Sequence, residues 1–285
     1  VLVGQGSRFK PYDAHADQVY FDAVGFQLNQ NYHREKETSD YDSYTLINVE
    51  SNMQWGISVS GITFLRAFWS PDSTKIMFTG RNHKANHLWQ YSVKNKTISR
   101  FTALPVSARF NVNSMVWLPD SQTVILRQRL LDNHNDRANN YRPILKKATN
   151  VNATRVYRDL LDSDERRATF SQISQQQAVL VSLSETRVLT SASMLESLHV
   201  SPDGKYLLTI QLDEELNSTV KFSRLARRYE VIEIKSGKRI YKPSFKRVDA
   251  QSARRKDSAP DGARNIQWLP GMPATLSWVE AVREG

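Results

Sequence analysis

One turn recurs along this chain and constrains what it can fold into. It reads Trp69-Ser70-Pro71-Asp72-Ser73-Thr74-Lys75-Ile76-Met77-Phe78, and again Val116-Trp117-Leu118-Pro119-Asp120-Ser121-Gln122-Thr123-Val124-Ile125-Leu126. A third copy is Val200-Ser201-Pro202-Asp203-Gly204-Lys205-Tyr206-Leu207-Leu208, and a looser fourth runs from Ile266 through Leu269-Pro270-Gly271-Met272 to Trp278. Each reads as strand, tight turn, strand. Proline presets φ at the first turn position, Asp, Ser and Gly tolerate the next ones, and β-branched or aromatic residues then resume.

A second hairpin follows each of the first three copies. These are Leu88-Trp89-Gln90-Tyr91-Ser92-Val93 turning at Lys94-Asn95-Lys96, Ala178-Val179-Leu180-Val181-Ser182-Leu183 turning at Ser184-Glu185-Thr186, and Tyr229-Glu230-Val231-Ile232-Glu233-Ile234 turning at Ser236-Gly237. An earlier half-unit, 44–49, turns at Glu50-Ser51-Asn52. Four short strands per unit, repeated, is the signature of propeller blades. The expected fold is all-β, a partial β-propeller of four-stranded blades with one partly helical insertion. The blades are placed at roughly 64–103, 113–190 and 196–243, with a partial blade at 264–285 and an insertion at 128–177. Within that insertion Val156, Leu160 and Leu161 fall at helical spacing, which predicts a short helix in 154–170. The competing reading is a β-sandwich with coincidental Pro-Asp turns; recurrence of the turn at one place in each unit favours the propeller.

Composition narrows the function classes. At 285 residues the chain is long enough for a sizeable core. It has no cysteine, which removes disulfides, thiolate nucleophiles and cysteine-bound metals and suits a cytosolic or a periplasmic protein equally. No apolar run approaches the roughly 18 residues of a membrane span, and Val1-Leu2-Val3-Gly4-Gln5-Gly6 is no signal peptide. The formal charge of +10 has its basic residues concentrated in the last third, from Arg224, Arg227 and Arg228 to Arg254, Arg255 and Lys256. They alternate with strand-like apolar positions and carry no nucleic-acid motif. They read as a solvated sheet surface, or alternatively as an attraction for acidic peptides.

The sequence carries no recognisable catalytic or metal-binding constellation. A serine nucleophile elbow reads G-x-S-x-G at a strained strand-to-helix turn. The nearest match, Gly56-Ile57-Ser58-Val59-Ser60-Gly61, brings its second glycine one residue late and sits beside a strand hairpin. His83 and His87 are four apart but read as loop residues with no acid close by, and His199 opens a strand. Asp213-Glu214-Glu215 lacks the glycine and spacing of a calcium loop, and Gly4-Gln5-Gly6 lacks the rest of a dinucleotide fingerprint. The six tryptophans sit on strands at repeat-related positions, where packing between blades explains them. No catalytic residue, metal ligand or cofactor is expected in this chain.

Two stretches go beyond a generic propeller. Ser201-Pro202-Asp203-Gly204-Lys205-Tyr206-Leu207-Leu208 is followed by Ser223-Arg224-Leu225-Ala226-Arg227-Arg228-Tyr229-Glu230-Val231. Gly262-Ala263-Arg264-Asn265-Ile266-Gln267-Trp268 continues to Pro273-Ala274-Thr275-Leu276-Ser277-Trp278-Val279-Glu280-Ala281. Together they resemble the propeller of glutamyl endopeptidases, a branch of the prolyl-oligopeptidase superfamily of serine peptidases. Thr154-Arg155-Val156-Tyr157-Arg158-Asp159-Leu160-Leu161 also resembles that family's helix ending in Asp-Leu-Leu. The resemblance runs in order from about Ile62 to the C-terminus. It departs at Asp213-Glu214-Glu215-Leu216-Asn217, where the family usually has His-Arg-Pro and an aromatic, and at Leu225-Ala226, which replaces Phe-Pro. The cleavage preference is therefore left open.

The resemblance implies a non-catalytic propeller that gates access of short peptides to a C-terminal α/β-hydrolase domain, where Ser, Asp and His lie outside this segment. It makes peptides the substrates, that hydrolase domain the partner, and Arg224, Arg227 and Arg228 the candidate substrate-binding residues. It favours a periplasmic or otherwise exported bacterial protein, with a chloroplast one also within the family. Because the last unit ends at Trp278-Val279-Glu280-Ala281 without an outer hairpin, the polypeptide is expected to continue, or a neighbouring chain to complete the open blade edge. The alternative is a free-standing propeller serving as a protein- or ligand-binding platform.

Overall fold

The structure, a computed structural model, describes residues 1–6, 20–29, 33–35, 40–82, 85–110, 113–130, 160–217, 220–241 and 263–280. The chain opens with β1 (Leu2–Gln5) and makes a small sheet of β2 (Tyr20–Ala23), β3 (Phe26–Asn29) and β4 (Arg34–Glu35). It returns through β5 (Ser43–Ile47) and β6 (Gln54–Ile57), and β1 lies antiparallel against β5 in the sheet β1-β5-β6. Then come β7 (Thr63–Trp69), β8 (Lys75–Arg81), β9 (Asn86–Ser92) and β10 (Thr97–Arg100), four antiparallel strands in sequence order. The same meander repeats in β11 (Met115–Trp117), β12 (Val124–Arg129), β13 (Gln176–Val181) and β14 (Thr186–Val188). It repeats once more in β15 (Leu195–Val200), β16 (Tyr206–Leu212), β17 (Arg227–Glu233) and β18 (Arg239–Tyr241). A two-stranded sheet of β19 (Arg264–Trp268) and β20 (Leu276–Val279) follows. This is a partial β-propeller: β11 approaches β15 and β15 approaches β19, so the first strands of successive sheets draw together on one side.

The recurring turn explains each blade's first hairpin. In the first copy the Ser73 N–H donates to the Ser70 carbonyl at 2.9 Å, and the Ser70 hydroxyl donates to Asp72 Oδ1 at 2.6 Å. Asp72 Oδ1 also accepts from the Thr74 N–H at 3.0 Å. Chiefly the Ser70 hydroxyl, and then the Thr74 N–H, hold the Asp72 carboxyl at about 2. The third copy repeats the bonds through Ser201, Asp203 and Gly204. The second uses Asp120 alone, accepting from the N–H groups of Gln122 and Thr123. Ser73, Ser121 and Gly204 all sit at positive φ, closing a type I turn before the strand resumes. The fourth copy differs. Its positive φ falls one place earlier, at Gly271, as in a type II turn.

Packing follows from the two-residue period of a strand. On β8, Ile76 and Phe78 pack toward Tyr44, Leu46 and Ile57 of the preceding sheet, whereas Met77 packs toward Trp117, Val124 and Leu126 of the next. On β12, Ile125 turns the other way, toward Leu195, Leu207 and Ile232. On β16, Leu207 and Leu208 likewise part company, Leu208 joining Val231 and Ile266. Second strands are therefore apolar on both faces, because a blade covers each side. Each such side chain contributes about 1.5–3 kcal/mol on burial. Trp117, Trp55, Trp89 and Trp268 take part in these interfaces, but Trp69 and Trp278 are 40% and 46% exposed, contrary to the expectation for all tryptophans.

A separate apolar cluster lies at the strand ends away from the Pro-Asp turns. Phe21, Ala23, Val24 and Leu28 of the β2–β3 hairpin meet Leu161 and Phe170 there, together with Leu212, Phe222 and Leu225. The helix, α1, spans Asp164–Ile173, later than the 154–170 expected from periodicity. Its start is set by capping. The Ser163 hydroxyl accepts from the Arg166 N–H, and Asp164 and Glu165 occupy the positive first turn. Val156 lies outside the described residues. Among the described residues, no helix is long and apolar enough to cross a membrane.

Candidate functional site

The strand ends opposite the Pro-Asp turns gather buried charged side chains, among them Arg34, Arg109 and Arg127. Asp40 receives Arg34 through two bonds, at 2.6 and 3.3 Å, and Arg81 at 3.2 Å. All three side chains are buried or nearly so, and the desolvation of such a triad offsets much of its Coulombic gain. Beside it, Arg34 makes a parallel bridge with Ala108, which docks β4 onto the segment between β10 and β11.

His33 fastens the same element. Its Nε2 lies 2.9 Å from the Ile173 carbonyl, which can only accept, so Nε2 carries the proton. Nδ1 then accepts the Ser107 hydroxyl at 2.6 Å. Burial first, and then the charges of Arg109, Arg129 and Arg127, hold the imidazole well below 6.5 and keep it neutral. Arg109 donates to the carbonyls of Ile173 and Asn29. Arg127 reaches the carbonyls of Arg109, Leu195 and Glu196 at 2.7, 3.3 and 3.1 Å. One guanidinium thus ties the second four-stranded sheet to the third.

The candidate arginines stand at this end too. Arg227, opening β17, grips Glu196 through two bonds of 2.8 and 3.0 Å. It also donates to the carbonyls of Phe222 and Leu225, and its guanidinium lies 5.1 Å from the centre of the Phe222 ring. Arg228 pairs with Glu214 at 2.9 Å. Arg224 closes a turn of 3-10 helix, Phe222–Arg224, and its side chain makes no ion pair among the described residues. Sequence reading missed Glu196, which lies 31 residues from Arg227, and it missed His33, whose partners lie 74 and 140 residues away. No local pattern carries contacts of that span.

The other sequence candidates lie elsewhere on the fold. Ser58 follows β6 and precedes β7, with no helix after it. His87 contacts Arg100 and the Leu104 carbonyl, and His199, on β15, contacts Ser197. His83 lies outside the described residues. The Glu215 N–H bonds to Asp213 in an exposed bend, and Gly4-Gln5 belongs to β1. Among the described residues, no group of three His, Asp or Glu side chains is placed to hold a metal ion.

No protein-family model matches the chain, and no curated protein does. Among solved structures it is similar to the acylaminoacyl peptidase of Pyrococcus horikoshii, with 12% identity and a TM-score of 0.42 over 71% of this chain and 28% of that one. It is similar to a prolyl endopeptidase, with 14% identity and a TM-score of 0.43 over 79% of this chain and 29% of that one. It is also similar to the β-propeller domain of the Trilobed protease from Pyrococcus furiosus, with 13% identity and a TM-score of 0.40 over 71% and 49%. The chain thus spans less than half of each of these three.

Proposed function

We propose that this chain is the non-catalytic propeller portion of a serine peptidase of the prolyl-oligopeptidase superfamily, in the glutamyl endopeptidase-like branch, gating access of short peptides to a C-terminal α/β-hydrolase active site. The supporting observation is the order of its motifs on the fold. Ser201-Pro202-Asp203-Gly204 joins β15 to β16, the arginine-rich stretch enters β17, and the Arg264 to Val279 stretch forms β19 and β20. The segments that resemble the peptidase propeller therefore succeed one another blade by blade. In this reading 64–103, 113–190, 196–243 and 264–285 are the blades, with the insertion at 128–177.

The chemistry divides accordingly. A rigid ring refuses a folded domain and admits a chain flexible enough to thread it. Acyl transfer by serine, with histidine as base and an oxyanion hole, belongs to the hydrolase partner. Arg224, Arg227 and Arg228 are the proposed contacts to a peptide carboxylate, Arg227 and Arg228 being already paired with Glu196 and Glu214. The hydrolase domain or a neighbouring chain meets the β20 edge, where Trp278 and Val279 are exposed.

A fluorophosphonate probe applied to the full-length polypeptide from its native source tests this. One serine outside residues 1–285 is expected to label, and none inside. Labelling within the chain, at Ser58 for example, contradicts the reading, as does a full-length polypeptide with no labelled serine.

A further inference from the structure

The interface between the second and third four-stranded sheets is apolar along most of its length and turns polar at one end. Across β16 and β17, Leu207 pairs with Ile232, the next rung on that face is Thr209 with Glu230, and the next is Gln211 with Arg228. A cleft of about 210 Å³ opens over these polar rungs, roofed by the segment between β14 and β15 and lined by Thr190, Ser193, Gln211, Glu230, Ile232 and Arg239.

Two of these groups are buried without being used up. Gln211 is 3% exposed, and its side-chain amide makes no hydrogen bond among the described residues. The Glu230 side chain is 8% exposed, and its carboxylate has one ion pair there, to Arg239 Nε at 3.2 Å. That arginine is itself 53% exposed, so the deep charge is met by a partner reaching in from solvent. A carboxylate held this deep costs stability unless it is paired, and the Gln211 amide faces the same space.

We propose that this cleft binds a free α-amino acid with a small side chain. Its ammonium takes the place of Arg239 on Glu230, and the released guanidinium meets its carboxylate at the mouth of the cleft. The Gln211 amide bonds the carboxylate from within, and Ile232 backs the side chain. The size supports a small ligand, since pockets for drug-sized molecules begin at roughly 300 Å³. The charges support a zwitterion, because the cleft already holds one acid and one base side by side. This inference stands independently of the peptidase reading.

Calorimetric titration of L-alanine into the full chain is the test, with L-alaninamide as the probe that keeps the ammonium and lacks the carboxylate. L-alanine is expected to saturate one site. Glu230→Gln and Arg239→Gln are each expected to weaken it about tenfold or more, the loss that follows removal of one charge-assisted bond. L-alaninamide is expected to bind the unaltered chain more weakly than L-alanine. Arg239 is half exposed, so its variant keeps the fold, which circular dichroism checks. No saturation by L-alanine, equal affinity in the Arg239→Gln protein, or equal binding of the two probes would overturn the proposal.

Discussion

The main-chain N–H of Asp72 donates to the hydroxyl of Ser121 at 3.0 Å, across the boundary between two blades and 49 residues along the chain. Ser121 also accepts Lys75 Nζ on its carbonyl at 2.8 Å. The contact continues down the row of turns, with Gly204 against Pro119 and the Asp203 N–H donating to the Pro273 carbonyl at 3.1 Å. The repeated Pro-Asp turn thus does two jobs. It closes a hairpin, and it docks that hairpin on the next blade's turn.

Replacing Ser121 separates the two jobs. Ser121→Ala removes the acceptor for the Asp72 N–H and keeps a side chain at φ 57, so it is expected to cost about 1–2 kcal/mol. Ser121→Gly also loses the acceptor but relieves the backbone, and it is expected to cost less. Urea midpoints of the two variants check the order.

Glycines at two of the turns make a second comparison. Gly204 has φ 73, and a Cβ there would stand 2.9 Å from Pro119 Cδ; Gly271 has φ 81 and nothing within 4 Å. Gly271→Ala is expected to cost the left-handed backbone penalty alone, about 1–2 kcal/mol. Gly204→Ala adds a clash with the neighbouring blade and should exceed it. Equal losses in thermal or urea unfolding would mean that the turns do not dock as described.

Stability should fall with acid near neutrality. The pKa of His33 is lowered in the folded chain, so the unfolded chain binds more protons between the folded value and 6.5. Its contribution is full above about pH 6.5 and is lost as pH falls below it, at no more than about 1.4 kcal/mol per pH unit. His87 and His199 are lowered too and act with the same sign. His33→Asn, which tolerates the positive φ at that position, is expected to flatten the dependence between pH 5 and 7 without abolishing it. Chemical denaturation across that range measures the slope.

The candidate arginines should part company under mutation. Arg227→Ala strands Glu196 and removes two carbonyl bonds, so a loss of about 2–4 kcal/mol is expected, with Arg227→Lys restoring only part. Arg224→Ala is expected to leave stability within about 0.5 kcal/mol, since it is partly exposed and outside any ion pair among the described residues. If the proposed role is right, its effect in the full-length protein falls on KM for peptides and not on stability.

What the residues disclosed was local. Pro71, Pro119 and Pro202 announced the turns and the run Val124-Ile125-Leu126 a strand, whose cover on both faces only the structure shows. What stayed hidden depends on distance along the chain. Nothing near β1 says that Leu2 pairs with Leu46, and no periodicity says that β2 and β3 pack on Phe170 and Phe222. The helix was displaced because apolar spacing was read where Ser163 and its acidic first turn decided the start. At the candidate site the three arginines were legible as a basic run, but Glu196, which fixes one of them, was not.

The proposed gate would admit flexible peptides to a hydrolase domain and refuse folded chains. The direct measurement compares cleavage by the full-length protein of one target sequence in two forms, as a short free peptide and as a surface loop of a stably folded domain. Turnover of the peptide is expected, and none of the folded domain until that domain is unfolded. Comparable turnover of both forms would contradict it.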